Sequence, residues 1–482
     1  MATKPLDFLN RIPSVSELLE KQPVRALSDR WNRSVVAAGV RSFLDELRSD
    51  LQRRAADVPT IRELAERAAR YVVSQQQSSQ PAVINATGRL IGAPWSSIPL
   101  ADTALEQALL VGRHFVATPA QSGSRPPAMS ADVELLLCRL TGAQSAAAVH
   151  SYAGALWLTF AALAADREVL VSRAEVGEVD SAGPLPKLAA AARAILKDVG
   201  TANRTVAADY EAAASPRAAM LLKLHSDEFR IVGETASTEL EELVSLGRDR
   251  ELVLVDAIGA APLVDPPPSV AWPRRTANAS IAAGVDLVIV RGDGLVGGPS
   301  CGILAGREDT IRRIVAHPLF AAWRLDPFRT AALAGTLQCY ESSSNGVQLL
   351  PVWQILTTPA ENLRNRAERI APQIAQAPTI ASATAVETRS PLAAASPFDG
   401  GWPSYAVALT PADGNVQALS DRLTSTLPSV LGRVEEGRLV LDLRTVFPRQ
   451  DRELVDAFTG GTPGDREAPS ENGGEPATPA QV

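Results

Sequence analysis

The sequence is poor in lysine. Only five occur in 482 residues, at Lys4, Lys21, Lys187, Lys197 and Lys223, and the C-terminal half has none. Any chemistry that needs an amine therefore has few candidates. Cysteine is sparser still. Cys138, Cys301 and Cys339 lie far apart with no CxxC pair, which excludes a disulfide scaffold and argues against a thiolate zinc site. The four histidines, His114, His150, His225 and His317, show no i, i+4 pairing for a metal. The opening MATKPLDFLNRIPS lacks the apolar run of a signal peptide. The longest uncharged stretch, Leu140 to Ala165, is interrupted by Gln144, Ser145, His150 and Ser151, so it predicts a buried core helix rather than a membrane span. Together these absences predict a cytoplasmic protein with no membrane partner.

What is present is a globular composition. Hydrophobic residues make up 46% and charged residues 21%, and the length fits two or three domains. The net charge of −7 gives no overall field for nucleic acid. Residues 1–80 differ, with 13 Lys/Arg against 10 Asp/Glu, a balance of +3.

Four regions follow from the patterning. Residues 1–80 read as a helical domain, with apolar residues at helical spacing over Arg41–Arg54 and Thr60–Ser74 and a polar linker at Ser74–Pro81. Residues 81–330 alternate short apolar strands (Glu168–Ser172, Ala219–Leu224, Glu251–Asp256, Asp286–Val290) with helical stretches (Leu185–Lys197, Ser237–Arg248). That alternation predicts an α/β domain with a mostly parallel sheet covered on both faces. Residues 331–458 read as a smaller α/β part, with strands at Tyr405–Leu409 and Arg438–Leu443 and a helix over Asn415–Thr426. Residues 459–482 read as a disordered tail, with five Gly and four Pro in the 23 residues from Gly460.

Asp256 ends an apolar strand, where a carboxylate reaches the crevice at the edge of a parallel sheet or simply caps a turn. Cys301 is either a nucleophile or a small packed side chain.

Several segments in a fixed order resemble bacterial selenocysteine synthase, the L-seryl-tRNA(Sec) selenium transferase family. Ile12-Pro13-Ser14-Val15-Ser16-Glu17-Leu18-Leu19 resembles its opening LPSVDxLL, and Ile84-Asn85-Ala86-Thr87-Gly88 matches its INATG. Gly123-Ser124-Arg125, Thr141-Gly142-Ala143, Val199 to Thr205 and Lys223-Leu224-His225-Ser226 match further motifs. Gly297-Gly298-Pro299, His317-Pro318-Leu319 and the closing Gly432–Arg438 and Leu441–Val446 complete the series.

The resemblance implies a fold-type-I architecture dependent on pyridoxal phosphate (PLP), an N-terminal part contacting tRNA(Sec), and a homo-oligomer built from dimers. It implies a pyridine-facing role for Asp256, whose segment Asp256-Ala257-Ile258-Gly259-Ala260 stands for the family's DLGSG. It places His225 near the cofactor, though a satisfied core histidine fits equally, and Arg125 in the site or in a structural ion pair. It places Ser151, at a helix start, in the cofactor's phosphate cup. It also implies a covalent anchor that is missing. Where the family writes SGDKLLGGP, this chain writes Arg291-Gly292-Asp293-Gly294-Leu295-Val296-Gly297-Gly298-Pro299, so Gly294 occupies the Schiff-base lysine's position. Of the family's two arginines after HPL, the first position is Ala321 and the second is Arg324, a candidate contact for the selenium donor. The expected function is a selenium-transferase-like protein that has lost its usual catalysis. The alternatives are an active transferase holding PLP noncovalently and a non-catalytic tRNA-binding or assembly partner.

Overall fold

The computed structural model describes residues 12–29, 31–54, 60–76, 82–92, 98–116, 131–179, 182–227, 229–270, 272, 274–342, 346–391, 393, 401–424, 426 and 428–459. The expected tail from Gly460, most of the linker after Ser74, Trp95 and Arg125 lie outside these residues. The chain divides into two compact units, one of Met1–Val83 with Leu427–Ser429 and one of Ile84–Thr426 with Val430–Val482.

The first unit is helical. Its long helices are Arg33–Arg54 and Ile61–Gln76. Val36, Val40 and Leu44 recur every fourth residue and bury one stripe against Leu64, Ala68 and Val72. The short helix Val15–Leu19 opens on Ser14, whose hydroxyl accepts the Glu17 N–H, and adds Leu18 to the same core.

Strand β1 (Val83–Asn85) leads into the second unit, which begins at Ile84. A seven-stranded sheet follows: β2 (Ser145–Val149), β3 (Glu168–Ser172), β4 (Ile195–Val199), β5 (Ala218–Leu224), β6 (Val253–Gly259), β7 (Leu287–Arg291) and β8 (Gly302–Gly306). Their spatial order is β2-β8-β7-β6-β5-β3-β4. β8 pairs antiparallel with both of its neighbours, β2 and β7, while β3, β4, β5, β6 and β7 pair in parallel. Separate apolar clusters cover its two faces, as the near-continuous apolar strands require. The expected architecture is therefore the observed one.

Two local readings are corrected. Leu185–Lys197 is not one helix. The helix ends at Ala191, Arg193 turns with φ 61°, and Ile195–Val199 becomes the edge strand β4. Pairing with β3 outweighs the helical propensity of the alanine-rich run. Likewise Leu140–Ala165 holds strand β2 before the helix Tyr152–Leu163, because Ala146–Val149 pair along β8.

A four-stranded sheet closes the unit: β9 (Ile380–Ser390), β10 (Trp402–Pro411), β12 (Arg433–Glu435) and β13 (Arg438–Asp442), ordered β12-β13-β10-β9, with β11 (Ser429–Leu431) beside β1. Its hub is Asp442, fully buried. Oδ2 accepts from Ser390 Oγ (2.7 Å) and Arg433 Nη1 (2.9 Å); Oδ1 accepts from Ser404 Oγ (2.6 Å) and the Arg444 N–H (3.1 Å). The loop after β1 docks here: Arg433 donates to Thr87 O, and the Gly88 N–H donates to Thr445 Oγ1 at 3.0 Å. Gly88 has φ +75° and lies against the Asp442 carboxylate, so no side chain fits there. Motifs at residues 84–88 and 432–446 are thus one buried polar network.

Candidate functional site

Strands β3, β5, β6 and β7 end at the same edge of the sheet, the place where open α/β sheets put their ligands. The ends of β3 and β5 and the segments beyond them carry most of the polar side chains of a cleft of about 550 Å³, lined by Ser172, Glu175, Lys223, His225 and Ser226 among others, with Arg274 from between β6 and β7. Beside it a hollow of only about 20 Å³ lies among Tyr152, Glu175, His225 and Asp227.

Asp256 and His225 are brought together. The His225 backbone N–H donates to Ala257 O on β6 at 2.9 Å, which seats the ring beside the Asp256 carboxylate. His225 Nε2 lies 3.0 Å from Asp256 Oδ1, and Ser280 Oγ donates to Oδ2 at 2.7 Å. Asp256 is fully buried, so both its oxygens depend on these partners. Ser280, from the helix Ala277–Ala283, carries no sequence signal of this role.

The lysine lining the cleft is already engaged. Lys223 Nζ lies 3.0 Å from Glu175 Oε1 and donates to Thr238 O at 3.0 Å, while Glu175 Oε2 accepts the Leu224 N–H at 3.0 Å. This is a nearly buried ion pair, held on both sides, and breaking it strands a charge.

Gly294 lies in the turn after β7, pressed on the turn after β6. A Cβ placed on it would meet Ala260 Cα at 2.6 Å and Ala260 Cβ at 2.7 Å. The Leu295 N–H donates to Ala260 O at 3.0 Å and ties the two turns together. Ala260 stands at the last glycine of the resembled DLGSG, the one sequence signal that could have revealed this packing. Asp227 supports the same turn: its Oδ2 accepts the Ala260 N–H at 2.9 Å, and Arg274 Nη1 lies 3.5 Å from Oδ1. Burial pushes the Asp227 carboxyl up, and the Ala260 N–H and Arg274 partly offset this.

Ser151 and Arg324 sit apart from that pair. Ser151 caps the helix Tyr152–Leu163, its Oγ accepting the Gly154 N–H at 3.0 Å. The Trp323 ring lies over that first turn, where a Gly154 Cβ would meet Cε3 at 2.6 Å. Arg324 bridges Val149 through its backbone, and its guanidinium has no partner among the described residues. Neither lines the two cavities above. Cys301 is buried and burial pushes its thiol up, so it is a packed side chain.

Residues 83–447 match the family model described as L-seryl-tRNA selenium transferase, and residues 9–48 match that of the selenocysteine synthase N terminal. The chain is 32% identical over 447 residues to the L-seryl-tRNA(Sec) selenium transferase of Carboxydothermus hydrogenoformans, covering 92% of this chain and 95% of that one. It is 33% identical over 461 residues to that of Hyphomonas neptunium, covering 94% and 98%. Among solved structures, D-glucosaminate-6-phosphate ammonia-lyase is similar with a TM-score of 0.58 at 17% identity, covering 80% of this chain and 97% of that one, a likeness of fold alone. Among the described residues no helix is long and apolar enough to cross a membrane.

Proposed function

The chain belongs to the L-seryl-tRNA selenium transferase family, and from that membership we propose that it binds seryl-tRNA(Sec) without performing the family's covalent cofactor chemistry. The carrying observation is the close packing of Gly294 on Ala260, which leaves neither an amine nor room for one. Lys223 is the other amine at hand among the described residues of the cleft, and Glu175 and Thr238 hold it.

The residues present do not fit PLP as a Schiff base. A lysine is needed to hold the aldehyde, and Gly294 supplies none while Lys223 is held by Glu175 and Thr238. On this reading residues 1–80 contact the tRNA and the protein is a homo-oligomer of dimers. The modest +3 balance of residues 1–80 implies shape-based contacts rather than charge alone.

A second reading, an active transferase holding PLP noncovalently, is favoured by one observation: Asp256 is a buried carboxylate in β6, and a carboxylate has about four lone-pair sites, of which two are used. Incubation with seryl-tRNA(Sec), PLP and selenophosphate separates the two. The expected result is filter-binding of the tRNA, weakened when residues 1–80 are deleted, with no selenocysteine formed. Selenocysteine formed over repeated turnovers overturns the first reading.

A further inference from the structure

Histidine and carboxylate, placed as they are at 225 and 256, form a pair that can move a proton without any cofactor. We propose that this cleft hydrolyses the aminoacyl ester it binds, with His225 as the general base on water and Asp256 as its positioning residue. The inference rests on the reading that the chain binds seryl-tRNA.

The geometry carries it in three steps. Asp256 is fully buried and can only accept at Oδ1, so it fixes the proton of His225 on Nε2. Nδ1 is then the ring's acceptor, and it has no partner among the described residues. The His225 side chain is 26% exposed while Asp256 is 0% exposed, so the ring meets solvent on the side away from the carboxylate.

The surroundings suit an ester carried on a sugar. The cleft of about 550 Å³ falls within the range of small-molecule sites. Ser226, Ser237 and Glu239 line it and offer partners for hydroxyl and amino groups. Lys223 and Arg274 line it too, each paired with a carboxylate, Glu175 and Asp227, and each brings N–H donors of the kind that stabilise a carbonyl oxygen as it becomes negative. Lys223 uses two of its three N–H donors on Glu175 and Thr238 and keeps the third. Phe229 stands at the rim, 37% exposed, as a face for a base.

The step balances without an oxidant or a cofactor. Water loses a proton to His225 Nδ1 as its oxygen bonds to the carbonyl carbon. The bond from that carbon to the ribose oxygen then breaks, and the ribose oxygen takes the proton back from Nδ1. The products are the free amino acid and the uncharged tRNA.

The test uses the full chain and tRNA(Sec) charged with radiolabelled serine, following loss of acid-precipitable counts beside filter binding of the same tRNA. Serine release is expected to exceed the buffer rate by about 100-fold or more, the usual contribution of a placed general base. His225→Ala and His225→Gln should both return it to the buffer rate with tRNA binding kept. Asp256→Asn should lower kcat with KM for the charged tRNA kept, whereas a merely structural role would lower the amount of folded protein and leave kcat per folded site alone. Wild-type protein that binds the tRNA but releases serine no faster than buffer overturns the hydrolysis and leaves the binding role standing. Protein that does not bind the tRNA overturns both.

Discussion

Restoring the lysine, Gly294→Lys, is expected to give a protein that still forms no covalent adduct with PLP and is destabilised by about 3 kcal/mol. The cost is that of overpacking a filled site. The new Cβ would lie 2.6 Å from Ala260 Cα and 2.7 Å from its Cβ, so a backbone has to move, not merely a rotamer. Movement is opposed by the Leu295 to Ala260 hydrogen bond and by Asp227, which holds the Ala260 N–H. The double variant Gly294→Lys/Ala260→Gly removes the methyl clash but leaves the backbone of residue 260 in the way, so part of the stability returns and most of the strain stays. Urea melts of the three proteins check the order: wild type, then double variant, then single variant. A single variant as stable as wild type contradicts this packing of the two turns.

The largest loss of stability is expected far from the cleft. Asp442→Ala leaves the nearly buried Arg433 with only the half-exposed Glu435 as a carboxylate partner and removes the acceptor of Ser390, Ser404 and the Arg444 N–H. Breaking one side of a buried ion pair costs about 3–5 kcal/mol. Asp442→Asn keeps the shape and part of the bonding, and its cost is about 2 kcal/mol, of the size of an imperfectly satisfied buried group. Thermal melts followed by circular dichroism should rank them wild type, Asn, Ala. An alanine variant that melts with the wild type would contradict the hub role.

Much of this was legible in the residues, and what was hidden was hidden for physical reasons. Asp256 stood out as a carboxylate closing an apolar run, but β6 continues past it through Ala257 to Gly259, so it lies within the strand rather than at its end; the small residues beyond it hid that extension. His225 follows a strand one position beyond Leu224, so its nearness to the same edge could be expected, while its bond to Asp256 depends on parallel pairing of β5 with β6. The grip of Glu175 on Lys223 spans 48 positions and no pattern announces it. Ala260 and Gly294 belong to two separate turns, and the meaning of their packing appears only when both are folded. The closing motif read as a mark of the family; folded, Arg433, Asp442 and Thr445 fasten the loop after β1. Ser151 caps the helix Tyr152–Leu163 and Trp323, beside Arg324, covers that helix's first turn, a packing between distant segments that no pattern announces.

The most direct measurement is reductive trapping. The purified protein is incubated with PLP, treated with borohydride, digested and examined by mass spectrometry. No stoichiometric phosphopyridoxyl increment is expected on the peptide carrying Lys223, and no visible band from a Schiff base before reduction. A full equivalent of the increment on Lys223 would contradict the loss of the covalent anchor, since that amine would then have left Glu175 and Thr238 to hold the aldehyde.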